Sequence, residues 1–483
     1  MSKVKKDDHE ALSLAYNHII TYLDGLDTAP VGATASLHEL RNRFSKSLPE
    51  KGLKSTEVVS DLIENTAGGL LGCAGGRFYA WVIGGGVPSA LAADWLTSTW
   101  DQNAALYACG PAASVVEETA GEWLKQLFGL PLDASFAFTT GCQLAHFTSL
   151  AAARYVVLKS VGWDVNEDGL FGAPAVRIVV SDQRHASVDR AVRYLGFGNR
   201  SIIPVPTDED GKIDIEEFTQ LLDQKCPTIV VLDAADLNIA AVDPFQTLIP
   251  IAKAVDAWVH IDGAFGLFAT ASESKRHIVR GIELADSWAT DGHKWLNVPF
   301  DCGFAFIRDR EAHRKSMTIT ASYIEAASAT NNTTKSDGSK PARDQIDWNP
   351  EWSRKARGFP VYAALREMGR EGVQDLVDRC CQYCEDLVRG MGDIPGAEVL
   401  WAPTLNQGLV RFLDPAEGAT VKEHNLRTAA VLTAINASGK AFFSGTTWRN
   451  MYAIRISVVN WRTSAEDVLT TIAAVREAVR DTN

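Results

Sequence analysis

His260-Ile261-Asp262-Gly263-Ala264-Phe265-Gly266 ends the apolar run Ala257-Trp258-Val259-His260-Ile261 with a carboxylate. Thr290-Asp291-Gly292-His293-Lys294-Trp295 ends a second apolar run, Ser287-Trp288-Ala289, with a lysine, and Lys294 follows Asp262 by 32 residues. Charged side chains are rarely buried unless they are paired or chemically used. A partly desolvated lysine gives up its proton readily and forms a Schiff base with a carbonyl. A carboxylate at the end of another strand suits a pyridinium nitrogen. Together the two residues are the signature of pyridoxal phosphate (PLP) chemistry.

Working outward, short apolar runs alternate with helical segments. Ser135-Phe136-Ala137-Phe138 leads into Thr139-Thr140-Gly141-Cys142 and a helix through Tyr155. Val176-Arg177-Ile178-Val179-Val180 precedes a helix from about Ser187, and Thr228 to Leu232, Trp258 to Ile261, Ser287 to Ala289 and Gly303 to Ile307 continue the series. Such alternation predicts a mostly parallel sheet with helices on both faces, and sites in such sheets lie just past the carboxyl ends of strands. Residues 8 to about 66 have a near-helical apolar period, broken at Pro30 and Gly32. A polar stretch, 327–350, interrupts the rhythm and reads as a long loop, a lid or a surface excursion. Beyond Pro360 a long helix leads to a smaller lobe with strands at Leu409–Phe412 and Tyr452–Ser457 and a last helix from Ala465 to Val479. The expected division is an N-terminal helical segment (1–70), a large domain (71–360) and a small C-terminal α/β domain (361–483).

A chain of 483 residues is long enough for two or three lobes. Its formal net charge of -13 disfavours nucleic acid and anionic membranes as partners. The opening residues, Met1 to Asp8, have no apolar signal core, and no apolar run is long enough to span a membrane. The eight cysteines read as scattered, with Cys380 and Cys381 adjacent and no Cys-x-x-Cys expected, and so indicate neither a structural metal nor a disulfide framework. The reading is a reduced, cytoplasmic, soluble protein with no metal.

Other strand-end residues fall in line with Asp262 and Lys294. Gly141, Cys142 and Gln143 open a helix whose first N–H groups have no intrahelical partner and favour a phosphate. His185 follows another strand and could stack on a flat ring, or could be an ordinary cap. His293 is placed to touch phosphate or substrate.

These pieces carry a resemblance. Asp262-Gly263-Ala264-Phe265-Gly266, His293-Lys294-Trp295-Leu296 and Phe300-Asp301-Cys302-Gly303 are similar to motifs of the group II PLP-dependent amino-acid decarboxylases, the family of aromatic-L-amino-acid and glutamate decarboxylases. Pro88 to Asp94, Gly110-Pro111-Ala112 and Ser181 to His185 support it, and the likeness runs from about Leu70 to the C-terminus. It implies a PLP-dependent transferase fold of type I, aspartate aminotransferase-like, and a homodimer with its site near the interface. It implies that Lys294 is the Schiff-base lysine, Asp262 the partner of the pyridine nitrogen, Ala264 the small residue under the ring and His185 the stacking histidine. Cys142 and Gln143 take the phosphate positions. Tyr323 resembles the lid tyrosine that helps protonate the substrate carbon after carbon dioxide leaves. Arg455 matches an arginine that faces a substrate carboxylate. Trp81 and Ile83 would line an apolar, aromatic mouth.

The departures sit at the edges of the site. Cys142 and Gln143 replace Gly/Ser, His146 stands where Asn is common, and Ala235-Asp236-Leu237 replaces a Gly-Thr-Thr turn, putting an acid near the ring. Gly75-Gly76 replaces a His-Pro pair, and Ile83 a Thr. The expected activity is α-decarboxylation of an L-amino acid, aromatic or large and apolar. The alternatives are an aldehyde synthase, in which the resemblance leads one to expect a change at Tyr323 or His185, and an aminotransferase or lyase on the same scaffold. A binding protein without chemistry is disfavoured by the intact Lys294 and Asp262 pair.

Overall fold

The computed structural model describes residues 3–222, 226–319 and 342–482. Tyr323 and the polar stretch 328–341 lie outside the described residues. The chain divides into two compact units. One comprises 84–385 and 401–408, the other 1–83, 386–400 and 409–483.

The larger unit is built on seven strands: β1 (Ser135–Thr139), β2 (Arg177–Ser181), β3 (Ile202–Val205), β4 (Thr228–Asp233), β5 (Trp258–Asp262), β6 (Ser287–Asp291) and β7 (Gly303–Ile307). Their order is β1-β7-β6-β5-β4-β2-β3. Every neighbouring pair is parallel except the two made by β7, which is antiparallel to β1 and β6. The mostly parallel sheet is as the apolar runs predict. β3 was not anticipated; Ile202-Ile203-Pro204-Val205 is short, lies at the sheet edge and carries a proline, which an edge tolerates.

Period-two alternation sorts the side chains. Ala305 and Ile307 of β7 and Ala137 of β1 join a core under the Ala-rich Cys142–Lys159 helix, with Leu150, Ala152 and Val157. Phe304, Phe306 and Phe138 point to the other face. There Phe138 meets Phe304 at 4.8 Å, and Phe128 meets Phe306 at 6.0 Å, both edge to face. Each fully buried Phe contributes roughly 2–3 kcal/mol.

Antiparallel β7 matters for the site. Its first residue, Gly303, pairs with Thr139 at the end of β1 and with Asp291 at the end of β6. A Cβ on Gly303 would come within 2.4 Å of Gly141. Only glycine lets the turn after β1 close over β7 and face the turn after β6.

The long helix Gly358–Gly392 is bent at Gly369 (φ 61°). It carries Cys380, Cys381 and Cys384, all buried. Cys381-Gln382-Tyr383-Cys384 has the Cys-x-x-Cys spacing, which corrects the reading of the cysteines as merely scattered. Burial pushes all three thiols up, Cys381 to about 12, so none is a ready thiolate.

The smaller unit holds the helices Lys3–Gly25, Leu37–Phe44 and Ser55–Thr66 and a four-stranded sheet. Its strands are β8 (Ala397–Trp401), β9 (Gln407–Phe412), β10 (Ser444–Trp448) and β11 (Met451–Ser457), in the order β10-β11-β9-β8. Val421–Ala437 and Ala465–Asp481 are its helices, each opened by a complete capping box, Thr420 with Glu423 and Ser464 with Asp467. Among the described residues no helix is long and apolar enough to cross a membrane.

Candidate active site

Lys294 lies in the turn after β6, with its Nζ 3.1 Å from Asp291 Oδ2. Burial alone would pull its pKa down. Asp291, then Cys142 and Asp262, reverse that and hold it above the ordinary 10.5. The sequence suggested a lysine that sheds its proton readily; the structure pairs it with the carboxylate three residues earlier in the same run.

The other oxygen of Asp291 reaches the turn after β1. It accepts the backbone N–H of Cys142 at 2.6 Å, and His293 Nε2 lies 3.5 Å from it. Cys142 is the first residue of the Cys142–Lys159 helix, where unpaired N–H groups attract an anion. A carboxylate oxygen therefore takes the first of the N–H groups the sequence assigned to phosphate, that of Cys142. The Cys142 thiol is buried and pushed well above its usual range by burial, and further by Asp262 and Asp291. Gln143 Oε1 accepts from Arg190 at 3.3 Å. His293 packs against Phe300 with the rings tilted by 30° and their centres 4.3 Å apart.

Asp262 ends β5. Its Oδ1 accepts the N–H of Ala264 at 3.1 Å, and its Oδ2 lies 3.3 Å from His146 Nε2. Burial alone would push this carboxyl up. His146, then His185 and Lys294, outweigh burial and hold it well below the usual carboxylate range. His146 Nδ1 is 2.9 Å from His260 Nε2, and His260 Nδ1 is 2.9 Å from Ser287 Oγ. Cys142 Sγ completes the group, 3.4 Å from His146 Nε2 and 3.9 Å from Asp262 Oδ1.

Sequence reasoning marked His146 as a departure but missed its link to Asp262, and missed His260 altogether. Two periods carried the signal. His146 is four residues past Cys142 on one helix face, and His260 is two before Asp262 on one strand face.

His185 caps the Ala186–Tyr194 helix, its Nδ1 accepting the Ser187 N–H at 3.2 Å. The cap fixes the ring through one nitrogen, and the residue as a whole is exposed. Protein crowding nonetheless lowers its pKa from 6.5, against an opposing pull from Asp262.

Asp236 corrects an expectation. Its carboxylate does not stand ready to retune a ring; it accepts the N–H groups of Asn238 at 2.8 Å and Ala241 at 2.7 Å and closes its own turn. The acid that abuts Asp262 is Asp233, its register partner across β4 and β5. Burial, then Asp243 and Asp262, push Asp233 well above 3.8.

The remaining candidates belong to the smaller unit or lie outside the description. Trp81 is half exposed and, with Val82, adopts left-handed backbone angles, φ 56° and 58°, rare for such residues. Trp81 packs near Phe442, which stacks on Phe78 at 5.2 Å. Ile83 joins the same apolar cluster. Arg455 is buried on β11. Tyr323 is outside the described residues.

At this sheet edge an amine, an ionised buried carboxylate and an anion-accepting helix start come from three adjacent turns. PLP asks for these three groups, one each for its aldehyde, ring nitrogen and phosphate. The donors present fit it.

Residues 38–412 match the model of the pyridoxal-dependent decarboxylase conserved domain, and the chain belongs to that family of PLP-dependent carboxy-lyases. It is 28% identical over 463 residues to an aromatic-L-amino-acid decarboxylase of Bacillus atrophaeus, covering 94% of this chain and 92% of the relative. It is 24% identical over 461 residues to a 4-hydroxyphenylacetaldehyde synthase of Rhodiola rosea, covering 92% and 89%. The crystal structure of Oryza sativa TDC with PLP and tryptamine superposes with a TM-score of 0.89 at 22% identity, covering 99% of this chain and 98% of that one. The type I fold expected from the sequence is the fold observed.

Proposed function

We propose that this chain removes the α-carboxylate of an L-amino acid as carbon dioxide and releases the amine, with an aromatic or large apolar side chain preferred. The observation that carries the proposal is the placement of Lys294 in the turn after β6 and of Asp262 at the end of the neighbouring β5, with Asp262 held ionised beside His146. PLP, when bound, supplies an electron sink for the bond that breaks as carbon dioxide leaves.

In this reading Lys294 holds the cofactor covalently, and Asp262 keeps the ring nitrogen charged. The N–H groups at the start of the Cys142–Lys159 helix, with Gln143 and His293, take the phosphate. Ala264 leaves room beneath the ring and His185 covers it. Tyr323 delivers a proton to the substrate α-carbon as general acid. Arg455 faces the substrate carboxylate, and Trp81 and Ile83 form the apolar mouth. The active unit is a homodimer, the commonest closed assembly, in the cytoplasm.

The named relatives support an aromatic substrate, and one of them, the Rhodiola rosea aldehyde synthase, motivates a second reading: decarboxylation with oxidative deamination. The retained His185 and Tyr323 favour the amine. A panel of the common amino acids, with dopa and diaminobutyrate, assayed for carbon dioxide, amine and peroxide separates the readings. Carbon dioxide with amine and no peroxide is expected; peroxide with aldehyde would transfer the assignment to the synthase.

A further inference from the structure

The partner of Asp262 is itself held by a line of buried side chains. Trp258 Nε1–H donates to Ser287 Oγ at 2.9 Å. Ser287 Oγ is 2.9 Å from His260 Nδ1, His260 Nε2 is 2.9 Å from His146 Nδ1, and His146 Nε2 is 3.3 Å from Asp262 Oδ2. Ser287, His260 and His146 are wholly inaccessible to solvent.

One set of donors and acceptors satisfies the whole line, starting from the indole. The indole is a donor only, so Ser287 accepts from it and has its own proton to give. In the tautomer in which Ser287 gives that proton to His260 Nδ1, His260 carries its own on Nε2. That N–H points at His146 Nδ1, so His146 carries its proton on Nε2. That last nitrogen lies between the ionised carboxylate, 3.3 Å from Asp262 Oδ2, and the Cys142 sulfur at 3.4 Å. Every group in the line then has a partner with each imidazole carrying one proton.

We propose that His146, set by His260 and Ser287, is the positioning residue that fixes the orientation of Asp262 while leaving its negative charge intact. This inference rests on the reading of Asp262 as partner of the cofactor's ring nitrogen. A neutral donor suits that task. An imidazolium at His146 would neutralise the carboxylate and compete with a pyridinium for it. A residue without a donor would let the carboxylate turn away. The line therefore deepens the role of Asp262 and gives a use to the histidine that departs from the family pattern.

Two measurements test it. In the apoprotein with histidine labelled at both ring nitrogens, His146 and His260 are assigned by their loss in His146→Asn and His260→Gln. Each should show one bare and one protonated nitrogen, with the proton on Nε2. A proton on Nδ1, or on both nitrogens of His146, would overturn the proposal whether or not PLP binds.

The second measurement is PLP affinity of the apoprotein, read by quenching of protein fluorescence. His146→Leu should weaken binding about tenfold, and His146→Asn, which keeps a donor toward Asp262, much less. Ser287→Ala, which touches neither Asp262 nor Lys294 in the structure, should weaken binding about threefold in the parental chain and not at all in the His146→Asn background. Equal effects of Ser287→Ala in both backgrounds would show that the line carries nothing. If the parental chain binds no PLP, the functional reading falls while the proton assignment still stands or fails by resonance.

Discussion

Two neighbouring strand ends bury acids and use them in opposite ways. At the end of β5, Asp262 accepts one backbone N–H, from Ala264, and its other oxygen faces a histidine side chain. At the end of β4, the acids serve the backbone. Asp236 accepts N–H groups from Asn238, Ile239 and Ala241, and Asp243 accepts those of Ile213 and Asp233. A carboxylate whose lone pairs are spent on backbone N–H groups is a structural clasp. One that is ionised, faces a histidine side chain and has a lysine nearby is available for chemistry. Burial does not distinguish them, since Asp236 and Asp262 are each 6% exposed.

The most severe way to break the chemical edge is Lys294→Ala. It should abolish the borohydride-stable PLP adduct on the protein and cost at least about a thousandfold in decarboxylation rate, several kcal/mol of barrier lowering. Peptide mapping checks this; a PLP adduct on another lysine at parental turnover would break the assignment.

A matched pair of substitutions then sharpens the contrast. Asp262→Asn keeps shape and removes charge, so it should weaken PLP binding and lower turnover about a hundredfold, as expected for losing a charge-assisted partner. Asp236→Asn presents an amide where a second acceptor is needed. It should lower unfolding stability by about 2–3 kcal/mol through orphaned N–H groups and leave the PLP affinity of the folded protein unchanged. Chemical denaturation and PLP titration of both variants give four numbers. Exchange of the two patterns, with stability lost at Asp262 and affinity lost at Asp236, would invert the account of the two edges.

This contrast also marks what the sequence made legible. Asp262 and Lys294 were visible because strand-end charges in order imply a parallel sheet and place a site at its edge. β3 escaped because four residues with a proline leave little pattern. Asp236 was read as an acid near the ring because spacing locates a residue without saying where its oxygens point. The turn around it, with Ala235 at φ 81° and Ala240 at φ 56°, is set by those hydrogen bonds and has no glycine to announce it. The line from Ser287 to Asp262 joins residues up to 141 positions apart, from Ser287 back to His146, through the side chains of two strands and a helix. Each half had a local period, but only the packing of the helix on the sheet brings them together. The lysine's raised pKa was hidden for a similar reason: Asp291 was in view, but its carboxylate was not known to turn toward Lys294.

The smallest effect expected separates the two edges by pH. Burial, only partly offset by the N–H groups of Ile213 and Asp233, raises Asp243 from 3.8 to about 6, and Asp233 moves in the same direction. An acid whose folded pKa is raised takes up a proton on folding. Its favourable contribution is complete below pH 3.8 and is lost as pH rises through about 6. Asp262 has the opposite sign, being held low, so its contribution is present above the unfolded value and is lost only as pH falls below it. Between pH 4 and 6.5 the β4 acids should therefore govern the difference. Relative to Asp243→Asn, the parental apoprotein should lose on the order of 1–3 kcal/mol of unfolding stability across that interval. Urea denaturation of both chains at several pH values provides the difference directly. A flat difference would mean that Asp243 stays ionised in the folded chain, and that the clasp at β4 keeps its charge as Asp262 does.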